Sequence, residues 1–234
     1  MRKQLAAEFL KFRHDYALAG CLAFLLVPLF GAAAGLPDTA QAGSEAVAHL
    51  AHAQFAAMAP TLMTVAAVYG SLRFTMEYRL GAVARTALLG PRTRLLWAKA
   101  TAAVLGGVIV GLVGTAALAV VLRLVLGHTG MAATSLPRTV AVCGISGAWG
   151  LFVGSVVRHH LASLFIVPAS LLLSLPFLNS WPWLGRFSPL GSQMALTSQT
   201  ADLLSAQTGA LVALAWLVGA AVFARLLLTG RDLA

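Results

Sequence analysis

Along this chain the polar positions gather in short clusters between long apolar runs, which cover about 16–36, 53–72, 98–122, 139–157, 161–178 and 208–228. Each run approaches the roughly 20 residues that an α-helix needs to cross about 30 Å of hydrocarbon. The pattern predicts an all-α, polytopic membrane protein with six transmembrane helices. The fifth run is the most interrupted, because Pro168 and Pro176 lie within it. Such breaks persist only where neighbouring helices or water satisfy the freed backbone groups. No repeat or linker divides the sequence, so 1–234 reads as one domain.

Two flanking stretches carry weaker periodicity. Leu5, Phe9, Phe12 and Tyr16 recur at helical spacing, with Lys3, Glu8, Lys11 and Asp15 mostly elsewhere around the helix. Residues 1–15 are therefore expected as an interfacial helix ahead of the first span. They are expected to be retained, because the following run is too long for a signal-peptide core and lacks a convincing cleavage site. Residues 179–206 are half apolar and punctuated by Pro182, Gly185, Pro189 and Gly191. With Trp181 and Trp183 suited to the interfacial belt, they read as an external hairpin, re-entrant or lying on the surface. The segment before the second span holds Asp38 and Glu45 but no Lys or Arg, and Ser44 could cap a helix running on into that span.

Composition agrees: 59% of the 234 residues are hydrophobic and 10% are charged, against about 25% charged in soluble domains. The net charge of +9 would suggest nucleic acid in a soluble protein. Here the cations sit beside membrane spans, so the lipid bilayer is the expected partner and nucleic acid is not. Their distribution also predicts orientation. One side receives Arg2, Lys3, Lys11, Arg13, Arg73, Arg79, Arg85, Arg92, Arg94, Lys99, Arg158, Arg225 and Arg231, and the other only Arg123, Arg138 and Arg186. By the positive-inside rule both termini and the segment 73–99 face the cytoplasm, in a multi-pass protein of the cell membrane.

Catalytic chemistry is not apparent. A phosphate-cradling loop needs a Gly-Lys pair, and the sequence contains none. No HExxH motif occurs; His159 and His160 are adjacent, so on a helix they would point about 100° apart and converge poorly on one metal. His49 and His52 share a face with Glu45, but a solvated external helix explains them without a metal. Cys21 and Cys143 lie in separate apolar runs and read as buried small hydrophobes. Apart from span ends that can snorkel, the runs hold essentially no ionisable residue, which argues against a carrier driven through buried carboxylates. Gly107 and Gly111, and likewise Gly150 and Gly154, form GxxxG pairs. Close helix packing and the ordinary abundance of glycine in membrane helices both account for them.

The remaining anomaly is the segment 73–99, between the second and third spans. Leu80, Val83, Ala84, Ala87 and Leu88 fall on one helical face, with Glu77, Arg79, Arg85 and Thr86 mostly off it. An amphipathic cytoplasmic helix is expected, ended by Gly90 and restarted after Pro91. A surface helix holding anionic headgroups and a docking element for a soluble partner both fit these residues.

The stretch EYRLGAVARTALLGPRTRLLWAKA, with Glu77, Gly81, Pro91 and Lys99 at these intervals, resembles the type-2 ABC exporter permease family. The interfacial helix, six spans and external hairpin agree with that resemblance over nearly the full length. The resemblance implies a transmembrane permease without its own nucleotide site and therefore not itself an enzyme. It would pair with a second permease subunit, identical or not. Each would receive a separate nucleotide-binding ATPase subunit, which would bind ATP and Mg. It also implies that Glu77, Tyr78, Arg79, Gly81, Ala84, Arg85, Leu88 and Leu89 form the coupling helix, and that Gly90, Pro91, Arg92, Arg94 and Lys99 form a hinge into the third span. Cargo would be a hydrophobic or amphipathic drug, antibiotic, peptide or lipid moved outward. A non-transporting scaffold or sensor recruiting a partner through 73–99 is the competing expectation.

Overall fold

Every one of the apolar runs is helical in the computed structural model, which describes residues 2–36, 43–83, 91–129, 135–197 and 203–230. Helix α1 (Arg2–Lys11) passes through a 3-10 turn (Phe12–His14) into α2 (Tyr16–Ala34). There follow α3 (Ser44–Arg79), α4 (Arg92–Leu126), α5 (Ser135–Val157), α6 (His160–Leu172), α7 (Ser174–Ser180), α8 (Pro182–Gly185), α9 (Pro189–Thr197) and α10 (Ala206–Gly230). The described residues contain no strand. Among the described residues six stretches are long and apolar enough to cross a membrane, α6 and α7 counting together as one of 21 residues.

Several boundaries have visible causes. Asp15 accepts a hydrogen bond from Leu18 N at 3.1 Å and so caps α2 where the chain restarts as helix. Ser44 is the first residue of α3 and not its cap; Gly43 takes that place in extended backbone. Within the fifth run the helix breaks at Leu173, because Pro176 has no N–H to offer the Leu172 carbonyl one turn back.

Burial separates an inner group of helices from an outer one. In the most apolar part of each helix, 72% of α3 and 67% of α5 is buried, against 17% of α2 and 22% of α10. The polarity of α2 and α10 is too low to face water, so their exposed sides suit lipid.

Glycine decides how tightly the inner helices pack. Gly150 lies against the Ala67 carbonyl, Gly70 against the Gly147 carbonyl, and Gly107 against the Cys143 carbonyl; a Cβ at any of these would overlap the oxygen. Both GxxxG pairs lie at crossings, Gly107 and Gly111 facing α5, Gly150 and Gly154 facing α3. They act in packing, where lipid supplies no hydrophobic drive and close van der Waals contact must do the work.

The segment after α7 folds back against the bundle. Gln193 on α9 is buried and accepts a hydrogen bond from Ser146 Oγ at 2.5 Å, near the midpoint of α5. Trp216 Nε1 on α10 donates to the Phe187 carbonyl at 2.8 Å. Trp181 and Trp183 are exposed.

Candidate functional site

The charged faces of three helices meet at one end of the bundle. On α1 and the turn after it, Glu8, Lys11 and Asp15 recur at three- and four-residue spacing and point inward, while Phe9, Leu10 and Tyr16 are exposed. On α3, Arg73 and Glu77 stand one turn apart, and α4 supplies Lys99.

These side chains form one connected ionic cluster. Arg73 donates to Asp15 Oδ2 at 2.6 Å and to Glu8 Oε2 at 2.8 Å, with a further bond to the Glu8 carbonyl at 3.2 Å. Its guanidinium also lies 4.6 Å from the Phe12 ring centroid. Tyr69 donates to Asp15 Oδ2 at 2.9 Å. Lys99 pairs with Glu77 Oε2 and lies 3.3 Å from Glu8 Oε1, while Lys11 joins Glu8 at 2.7 Å and Glu77 at 2.9 Å. Three cations and three carboxylates cancel, and each carboxylate takes more than one donor. Multiple charge-assisted hydrogen bonds are what let charges persist at 1% to 5% residue exposure, as for Lys99, Glu8 and Arg73.

Burial alone would raise the Glu8 pKa. The Lys99 ammonium, with hydrogen bonds from Lys11 and Arg73, outweighs it and lowers the group from 4.5 to about 2. A depressed carboxylate favours the docked helix above pH 4.5 and loses that contribution as pH falls from 4.5 towards 2, on the order of 3 kcal/mol in all. Spin labels at positions 7 and 94 should therefore report α1 moving away from α4 over that acid range. Glu8→Gln should flatten the transition, and an unchanged distance down to pH 2 would contradict the docking role.

The cluster explains part of the polar segment differently from its periodicity. An amphipathic helix from Glu77 onward is expected from sequence, but Glu77, Tyr78 and Arg79 belong to the end of α3. The chain turns at Gly81, whose φ of 66° is one that glycine adopts freely. Leu80 is exposed while Val83 is fully buried, so the two do not form one continuous outward stripe. Tyr78 stacks on Phe74 at 6.1 Å, and Arg79 is exposed. Ala84, Arg85, Leu88, Leu89 and Gly90 lie outside the described residues. Pro91 occupies the N-cap of α4, Arg94 is exposed, and Arg92 donates to the Leu228 carbonyl at 3.1 Å.

Lys99 is no snorkelling end but the inner partner of Glu77. The buried cluster is what sequence reasoning missed. Its signal was present in the shared face of Glu8, Lys11 and Asp15 and in the four-residue spacing of Arg73 and Glu77.

Two cavities flank the α3 end of this cluster. One, of about 530 Å³, is lined by Tyr78, Arg79, Arg158, His159, His160 and Leu161. The other, of about 730 Å³, is an apolar groove among α2, α3 and α6, with Gly20, Phe24, Val65, Leu72 and Leu164 in its walls.

A search of curated proteins finds no match to the sequence. A family model described as ABC-2 family transporter protein matches residues 4–179, which takes in α1, the ionic cluster, the glycine crossings and both cavities. This multi-pass membrane chain thus belongs to the ABC-2 transporter family, as a membrane component and not a nucleotide-binding domain.

Proposed function

We propose that this chain is the permease subunit of an ATP-driven exporter, with a separate ATPase docking on the segment between α3 and α4. The carrying observation is the ionic cluster. It ties the end of α3, where that segment begins, to α1 through Lys11 and to α4 through Lys99. A displacement passed from the segment to the end of α3 would reach both helices through these ion pairs. On this reading Glu77 anchors the coupling segment from inside, and Arg85 and Leu88 are left to meet the ATPase, which supplies the ATP and Mg site.

The positive-inside distribution supports placing both termini and the cluster in the cytoplasm. The Gln193–Ser146 bond supports a re-entrant external hairpin, since a buried polar pair near mid-span needs a partner at that depth. A second permease subunit would pair with this one. The apolar groove suits a hydrophobic or amphipathic cargo taken from the cytoplasm or inner leaflet.

The test is association with a separate phosphate-loop ATPase, sought first in the reading frames neighbouring this chain's own. It should bind inside-out vesicles and not right-side-out ones. Arg85→Ala with Leu88→Ala should weaken binding about tenfold or more. No association, equal binding to both faces, or indifference to these substitutions would overturn the reading.

A further inference from the structure

The two cavities share His160 in their linings, so a basic chamber adjoins an apolar groove. The charge of that chamber is uncompensated. Glu8, Asp15 and Glu77 are committed to Lys11, Arg73 and Lys99, and no carboxylate lines the chamber among the described residues. The Arg79 side chain makes no hydrogen bond or ion pair among the described residues.

Arg158 is held in place from several directions. Its backbone adopts a left-handed φ of 57°, uncommon for a residue other than glycine. Its Nη2 donates to the Leu227 carbonyl at 2.9 Å, and its guanidinium lies 5.5 Å from the Tyr78 ring centroid. Among the described residues its Nε is buried without a hydrogen bond, as is His160 Nδ1 in the same wall. The first turn of the 13-residue α6, positive by its dipole, begins at this point. A strained cation with an orphaned donor beside a free arginine is an arrangement that lacks an anion.

We propose that the adjoining cavities bind one phosphate-headed amphiphile, with the phosphate between Arg79, Arg158 and the α6 N-terminus and the acyl chain passing His160 into the groove of α2, α3 and α6. Arginine forks match phosphate geometry, and basic pockets between membrane helices take anionic headgroups. Neither cavity alone specifies this ligand; their adjacency at His160 does. As a statement about cargo selection the inference rests on the exporter reading. As a statement about binding it does not, and the experiment reads binding alone.

The full-length chain would be placed in phosphatidylcholine nanodiscs and offered chain-labelled spin probes of phosphatidic acid or phosphatidylcholine. Phosphatidic acid should be retained about tenfold more tightly. Arg79→Gln, at an exposed side chain, should reduce that preference about fivefold, and Arg158→Lys should reduce it while keeping the charge. Gly20→Leu adds bulk where a new Cβ meets nothing within 4 Å, so it should fill the groove and weaken retention of phosphatidic acid without unfolding α2. Inorganic phosphate at millimolar concentration should not displace the probe. Equal retention of both lipids, indifference to Arg79→Gln, or indifference to Gly20→Leu would overturn the proposal. Full displacement by phosphate would show a soluble anion to be the ligand. Loss of the preference on pairing with a second copy would show the groove to be a subunit contact.

Discussion

Lys99→Met should destabilise the folded chain by about 3–5 kcal/mol, because it removes the ammonium that Glu77 and Glu8 share in a site with 1% exposure at the lysine. Isosteric removal of one partner from a buried pair costs more than removal of both. The double variant Lys99→Met with Glu77→Gln should therefore recover a large part of the loss, although Lys11 and Arg73 keep Glu8 occupied. Lys11→Met is the internal control. Its side chain is 39% exposed, so water screens its pairs and the expected cost is about 1 kcal/mol or less. Denaturant titration in detergent, followed by tryptophan fluorescence, measures all three. If Lys99→Met and Lys11→Met were equally mild, the cluster would be an ordinary surface network.

Gly150→Leu should prevent the native arrangement of α3 and α5 altogether. The new side chain would begin where the Ala67 carbonyl already lies, and a backbone oxygen inside a helix cannot give way as a side-chain tip can. The helices would have to separate, losing the close approach at Ala67 and disturbing the hydrogen bond from Ser146 on α5 to Gln193 on α9. A loss above about 4 kcal/mol is expected, at the extreme of single substitutions. It should be visible as aggregated material on gel filtration. Gly219→Leu on the outer helix α10, where a Cβ meets nothing within 4 Å, should give a monodisperse protein. Similar behaviour of the two variants would mean that the α3–α5 crossing does not depend on close approach.

The hydrophobic pattern determined the class of this protein because bilayer thickness acts on each span separately. Twenty apolar residues must be helical whatever their neighbours do, so six spans could be read from the order of residues, while the family was legible only in the resemblance of the stretch 77–100. Local chemistry likewise made Pro91 a punctuation point ahead of α4, whereas the turn at Gly81 falls inside the helix that periodicity predicts.

Tertiary structure decided what the polar residues do. Arg73 and Lys99 lie near span ends and look free to reach water, yet both are buried, because α1 folds its charged face against α3 and α4. That pairing joins residues 65 to 91 positions apart, and no local spacing specifies it. The same holds for the glycines, whose GxxxG spacing is compatible with packing or with chance until a partner carbonyl is found opposite. It holds too for Arg79 and Arg158, which are two cations among many in the sequence. They become a site only because the folded carboxylates are spent elsewhere, leaving their charge to face a cavity.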